Sequence, residues 1–327
     1  MNGIEWKARK VAIVGAGAVG STFAYALAQS GIADDIALID HNQELVRGQV
    51  IDLANGLPFF PTVHIYEGSP ADYHDASVIV ITAGSKQLSG ESRLSLLKRN
   101  ITIIEQIAQD IDAQGSQAVI VVVSNPVDVL TYAALKKVDW PRGRIIGSGT
   151  VLDSSRLRYL ISKHCGIDVH NVHAYVLGEH GDSEFAAWSM AHIAGMPIDR
   201  YCLFCHKCDD WKTERQKIAN EVRDSAYHII DYKGSTYFAI GLALVQIVAS
   251  IVRNQHSVLT VSTLLNGEYG LRDVCLSVPC IVSQHGIEQI IGGSLTEDEL
   301  QALSYSASIL QKTSSEIQEE YYPEYYI

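Results

Sequence analysis

Residues 10–20 read KVAIVGAGAVG, and Asp40 stands twenty positions after the last of these glycines. No other stretch constrains the fold as much. Val11-Ala12-Ile13-Val14 is a short apolar run rich in β-branched residues, the pattern of a strand buried on both faces of a parallel sheet. Of the glycines that follow, Gly15 permits a tight turn, Gly17 lets a pyrophosphate approach the backbone, and Gly20 lets the next helix pack close to the strand. That helix starts around Val19 and directs its free N–H groups and positive dipole end at the phosphates. A second apolar strand, Ile36-Ala37-Leu38-Ile39, ends at Asp40, whose carboxylate can accept both ribose hydroxyls of an adenosine and repels a 2′-phosphate. The expected cofactor is therefore NAD, not NADP. A strand-turn-helix without a nucleotide is the competing reading, and the spacing to Asp40 disfavours it.

The alternation continues. Helix 42–55, strand 63–67, strand 77–82 closing on Ala83-Gly84, helix 94–114, strand 118–123 and strand 145–150 give the pattern of a doubly wound parallel sheet. The fold class is α/β, with a Rossmann-type sheet domain over residues 1–147 and an α+β domain over 148–327. Residues 145–150 are expected to end both sheet and domain. The second half reads as helix 151–164, strand 172–177, a charged helix 212–232, a charge-free helix 234–252, strands 257–263 and 275–282 at hairpin spacing, and an amphipathic helix 296–319. Thr296 and Glu299 have capping-box spacing, and the tail 319–327 shows no helical period.

Bulk properties exclude other classes. With 25 basic and 37 acidic residues the formal charge is −12, against the basic field that nucleic acid needs. The chain start shows no secretory pattern. Residues 234–252 have membrane-spanning length, but Gly234, Ser235, Thr236, Tyr237, Gly241, Gln246 and Ser250 fit a helix buried in the second domain better, so no membrane partner is expected. All six cysteines lie in the second half, and Cys202-x-x-Cys205-His206-x-Cys208 has ligand-like spacing. No second CxxC or HxxxH pair accompanies it, so these read as unligated thiols in a connecting segment of a cytoplasmic protein, with no metal expected.

Hydride transfer to a ketone leaves an alkoxide, so a nicotinamide needs a proton-carrying partner. His180, framed by Gly178 and Gly181 at a strand end, is the best placed of twelve histidines. Asp153 and Arg156, three apart, share one helix face: an aspartate can orient an imidazole, and an arginine offers a planar fork to a carboxylate. By themselves these two also fit a plain ion pair on a solvated helix.

Taken together, Gly15-x-Gly17-x-x-Gly20, Asp40, Gln87-x-x-Gly90-Glu91-Ser92-Arg93, Ser124-Asn125-Pro126, Leu152-Asp153-x-x-Arg156, Gly178-Glu179-His180-Gly181-Asp182 and Lys233-Gly234-Ser235-Thr236-Tyr237 strongly resemble the lactate/malate dehydrogenase family. The resemblance covers nearly the whole chain in the family's order. It implies reversible hydride transfer between NADH and pyruvate, giving L-lactate and NAD. His180 is then the proton carrier, Asp153 its orienting anion, and Arg156 the clamp on the substrate carboxylate. Arg93, on a closing loop, stabilises charge on the carbonyl oxygen, and Asn125 contacts the same region and the nicotinamide ribose. Gly84 joins the cofactor residues. Gln87 favours pyruvate, because malate-acting members place an arginine there for a second carboxylate that a glutamine would leave unpaired. Thr236 matches the position that narrows the pocket beside the substrate methyl, while Lys86 and Leu88-Ser89 depart from the usual loop. Arg158 and His173 match the residues that bind fructose 1,6-bisphosphate between subunits in regulated bacterial members, which implies an effector site and a homo-oligomer, expected to be a tetramer.

Overall fold

The computed structural model describes residues 8–86, 90–207, 210–293 and 295–321. Gln87, Leu88, Ser89 and Cys208 lie outside the described residues, as do the side chains of Arg93 and of residues 317–321. The first half alternates β1 (Lys10–Val14), α1 (Ala18–Ser30), β2 (Asp35–Ile39), α2 (Gln43–Asn55), β3 (His64–Glu67), β4 (Val78–Ile81), α3 (Arg93–Ala113), β5 (Val119–Val122), α4 (Val127–Lys137) and β6 (Ile145–Gly147). Strands β1 to β6 pair in parallel in the order β3-β2-β1-β4-β5-β6. Strands β4 and β5 are buried at every residue, which is why they are unbroken apolar runs.

The register places the functional loops together. Val14 lies opposite Ile39 and Ile81, Ile81 opposite Val122, and Val122 opposite Gly147. Every loop leaving these C-terminal ends opens on one rim, and strand order reverses at β1, where such sheets bind ligands.

After β6 come α5 (Val151–Cys165), β7 (Val172–His173), β8 (Val176–Leu177), β9 (Phe185–Ala186), β10 (His192–Ile193), β11 (Met196–Pro197), α6 (Ile198–Cys205), α7 (Trp211–Lys233) and α8 (Phe238–Val252). Strands β12 (Ser257–Asn266), β13 (Arg272–Ser283) and β14 (Gly286–Ile290) precede α9 (Glu297–Tyr321). The sheet does not end at residues 145–150, contrary to the sequence expectation. Strand β12 adds antiparallel to β6 through Ser262 and Gly147, and β13 and β14 follow it, extending the sheet to nine strands among the described residues. Gly147 permits this approach: a Cβ there would lie 2.5 Å from Thr131 Oγ1 and 2.8 Å from Ser262 Cβ. An edge that parallel pairing alone leaves open is thereby covered.

Other boundaries also shift. Residues 172–177 form two short strands, not one, because β7 pairs with β10 while β8 pairs with β9. Gly234, at φ +83, ends α7, so α8 starts only at Phe238. At 15 residues α8 is about 22 Å long by its rise, and it packs on α1 with Gly241 against Thr22. No helix among the described residues is long and apolar enough to cross a membrane. Thr296 and Glu299 do form a capping box, with each side chain bonded to the other's backbone N–H at 3.3 and 2.9 Å. Helix α9 continues to Tyr321, past the residue where sequence periodicity fades.

Two apolar clusters hold the chain. The larger runs along the sheet from Val11 to Val282 and beneath α9. The smaller joins α5, α6 and α7 through Leu157, Ile161, Val172, Ile198, Cys202, Ile218 and Val222.

Candidate active site

At the first rim loop, Gly15 adopts φ +109, and a Cβ there would stand 2.6 Å from Ala83 N. A Cβ on Gly20 would stand 1.8 Å from Gly15 O, so α1 can begin this close to β1 only with glycine there. At Gly17, by contrast, an added Cβ meets nothing within 4 Å. Gly17 caps α1 without any side-chain hydrogen bond, and no acid lies in the first turn, which includes Val19. The N–H groups at that helix start are left for an anion. Asp40 Oδ2 accepts from Ala16 N at 2.8 Å and Oδ1 from Asn42 N at 3.0 Å. His41 Nδ1 also lies 2.9 Å from Oδ1, so Oδ2 is the oxygen that keeps a second acceptor site for a ribose hydroxyl. These residues fit a dinucleotide.

Further along the rim, Gly84 is exposed beside Ser124 and Asn100, whose Oδ1 accepts from Ser85 N at 2.8 Å. Ser124 Oγ donates to Ala83 O, tying the ends of β4 and β5. The next residue, Asn125, is exposed, and its bond to Pro126 is cis. Arg93 is the first residue of α3, capped by the Ser92 hydroxyl.

The chemistry-bearing side chains meet where α5 leaves the rim. His180 Nδ1 lies 2.7 Å from Asp153 Oδ2, and Arg156 donates to Asp153 Oδ1 at 2.7 Å. Asp153 is almost wholly buried. Burial by itself would push its carboxyl up, but His180 and Arg156 outweigh that and hold it below the usual range. An ionised Asp153 accepts only, so Nδ1 carries the proton and Nε2 is turned to the remaining space. Burial pulls the His180 ring towards neutrality, but Asp153 above all, bonded to Nδ1, pushes its pKa up to about 9. The imidazole is therefore protonated at neutral pH.

Two acids at this site escaped the sequence reading. His180 N donates to Asp128 Oδ2 at 2.8 Å, so the backbone of the histidine loop is pinned to the first turn of α4. Burial pushes Asp128 up to about 6. Glu184 is buried too, and burial together with the Asp153 charge pushes it up to about 9, which keeps it protonated at neutral pH. Neither carries a local motif: Asp128 lies 52 residues from His180 in the chain. With Glu184 neutral, His180 and Arg156 are balanced by Asp153 and Asp128, so an anionic substrate must be met directly by the Arg156 guanidinium and the His180 ring. Although Asp153, His180 and Glu184 are close enough to hold an ion, both Asp153 oxygens already have partners.

Thr236 sits on the link between α7 and α8, with Oγ1 buried and without a hydrogen-bond partner. Arg158, on α5, donates from Nε to Val172 O at 2.9 Å, beside the exposed His173 of β7. The expected substrate contact Gln87 lies outside the described residues.

Known proteins with this architecture agree on its class. Residues 9–147 match the lactate/malate dehydrogenase NAD binding domain, and residues 150–321 match that family's alpha/beta C-terminal domain. A protein of Treponema denticola named L-lactate dehydrogenase is 58% identical over 96% of this chain and 100% of its own length. One of the same name from Acetivibrio thermocellus is 49% identical over 93% of this chain and 96% of its own. Among solved structures, a lactate dehydrogenase from a Medee basin deep-sea metagenome library superposes with a TM-score of 0.93, at 41% identity, covering 96% of this chain and 100% of that one. The minor L-lactate dehydrogenase of Enterococcus mundtii in its ligands-bound form gives 0.91 at 40% identity, covering 95% and 98%. By motif order, sheet topology and these likenesses, the chain belongs to the lactate/malate dehydrogenase family of NAD-dependent oxidoreductases.

Proposed function

We propose that the chain is an L-lactate dehydrogenase that reduces pyruvate to L-lactate and runs the reverse reaction. The observation that carries this reading is the buried bond between His180 and Asp153, with Arg156 on the other oxygen of the same carboxylate. Bound NADH supplies the hydride to the carbonyl carbon. His180 gives its Nε2 proton to the carbonyl oxygen and takes it back in lactate oxidation, while Asp153 stabilises the charged ring. The Arg156 guanidinium has five N–H donors, of which Asp153 takes one. Two of the remaining donors can hold the substrate carboxylate in parallel bonds and so orient the carbonyl. Arg93, Asn125, Gln87 and Thr236 complete the substrate contacts in the roles set out from the sequence, with Gln87 favouring a monocarboxylate. Gly15, Gly17, Val19, Gly20, Asp40, Gly84 and Asn125 form the NAD contacts. Steady-state NADH absorbance tests the reading: turnover with pyruvate exceeds turnover with oxaloacetate, and the opposite preference makes the chain a malate dehydrogenase.

Residues 1–147 form the NAD-binding domain and 148–327 the substrate domain in this reading, and the protein works in the cytoplasm as a homotetramer. Arg158 and His173 bind fructose 1,6-bisphosphate across a subunit interface, supported by the Arg158 bond to the strand that carries His173. Two phosphates there offset gathered cations and favour the active assembly. Titrating the bisphosphate at low pyruvate raises the rate; an unchanged curve removes the effector.

A further inference from the structure

The cysteine segment looks different in space than in sequence. Cys202 and Cys205 are three apart on α6 and so share a face. That face meets the end of α5, where His164 lies. One ring nitrogen of His164 and the sulfurs of Cys202 and Cys205 all fall within 4.8 Å of one another. His206, the neighbour that the sequence suggested, is instead exposed at the end of α6 in the left-handed region, at φ 50.

His164 itself points to a ligand. Its Nε2 is buried and makes no hydrogen bond, a state that native structures seldom leave uncompensated. Its Nδ1 lies 3.6 Å from Glu214 Oε1 on α7. A carboxylate behind one ring nitrogen, with the other nitrogen bare, is how metal-bound histidines are oriented. Meanwhile α6 has weak means of its own for staying docked. It is eight residues long, its buried residues are Ile198 and Cys202, and Leu203 and Phe204 are about 70% exposed. Helices this short are not stable without outside contacts.

We propose that His164 Nε2 and the thiolates of Cys202 and Cys205 bind a soft divalent cation, zinc above all, that clips α6 to the end of α5. A tetrahedral zinc with bonds of about 2.3 Å to sulfur and about 2.0 Å to nitrogen sets its ligand atoms roughly 3.5–3.8 Å apart. The three donors therefore need to close by at most about an ångström. Water takes the fourth position on the half-exposed Cys205 side. Binding replaces two S–H bonds by two sulfur–metal bonds and releases two protons to solvent, with no change of oxidation state. The site is independent of the reaction assigned above and lies at the opposite end of the helix that carries Asp153 and Arg156. It reverses the expectation, drawn from spacing alone, that these thiols hold no metal.

Cobalt(II) titration of the chelator-treated full chain, kept reduced, tests this. One equivalent should bind with tetrahedral visible bands and a near-ultraviolet thiolate charge-transfer band, and zinc should bleach both. C202S/C205S should lose the charge-transfer band, H164Q should weaken binding at least tenfold, and H206Q should bind as the parent does. Absence of the thiolate band in the parent overturns the proposal, as does its survival in C202S/C205S or its loss in H206Q. X-ray absorption of the zinc-loaded parent needs no variant to fold. Two sulfurs at about 2.3 Å with a nitrogen at about 2.0 Å support the site, and an all-oxygen-and-nitrogen shell refutes it.

Discussion

The glycine loop and the histidine cluster are built by opposite means. At the loop, backbone groups fix the geometry: Gly15 and Gly20 shape one turn, and Asp40, 24 residues on, holds the Ala16 amide across a single strand pairing. At the cluster, His180 takes its orientation from Asp153, 27 residues away, and from Asp128, 52 residues away. One site is a backbone shape and the other an assembly of buried side-chain charges. Damage to the first should therefore act through cofactor affinity, and damage to the second through the proton.

The largest separation of these effects comes from His180→Ala. It should lower kcat for pyruvate reduction by about 10²–10⁴-fold with NADH affinity, read by fluorescence titration, unchanged. Comparable loss of NADH binding would break the comparison. Asp153→Asn should lower the rate at pH 8 by about 10²-fold, because the imidazole loses the anion that keeps it charged. Gly20→Ala should do the reverse. Its Cβ, 1.8 Å from a backbone oxygen, costs about 1–3 kcal/mol of strain and should weaken NADH by roughly 10–100-fold with a smaller change in kcat. Asp128→Ala should be the mildest. It strips the acceptor from the His180 amide at a cost of about 1–3 kcal/mol, and kcat should fall by about tenfold, with thermal denaturation showing how much is lost as stability.

The same contrast explains what could be read from the sequence. The parallel half was legible because β4 and β5, buried on both faces, must be apolar throughout, and because glycines mark turns where backbone contacts forbid a Cβ. The extension of the sheet by β12 was not legible, since nothing near Gly147 announces Ser262 as its partner. Helices α4 and α6 were missed because α4, buried nearly all round, lacks an amphipathic stripe and α6 is too short to show one. Asp153, Arg156 and His180 were legible as a motif set, but Asp128 and Glu184 were not, because their function rests on burial and distance alone. His164 belongs with them: its role depends on a helix some forty residues later in the chain.

The raised His180 pKa also bears on stability. A cation favoured by the fold stabilises it fully below the ordinary histidine value of about 6.5, and that contribution is lost as pH rises through about 9. The central claim is that Asp153 keeps His180 charged for the proton transfer, and the pH dependence of kcat/KM for pyruvate in the parent and in Asp153→Asn tests it most directly. The parent should stay level through neutrality and fall only as pH nears about 9, whereas the variant should fall at lower pH; coincident profiles would contradict it.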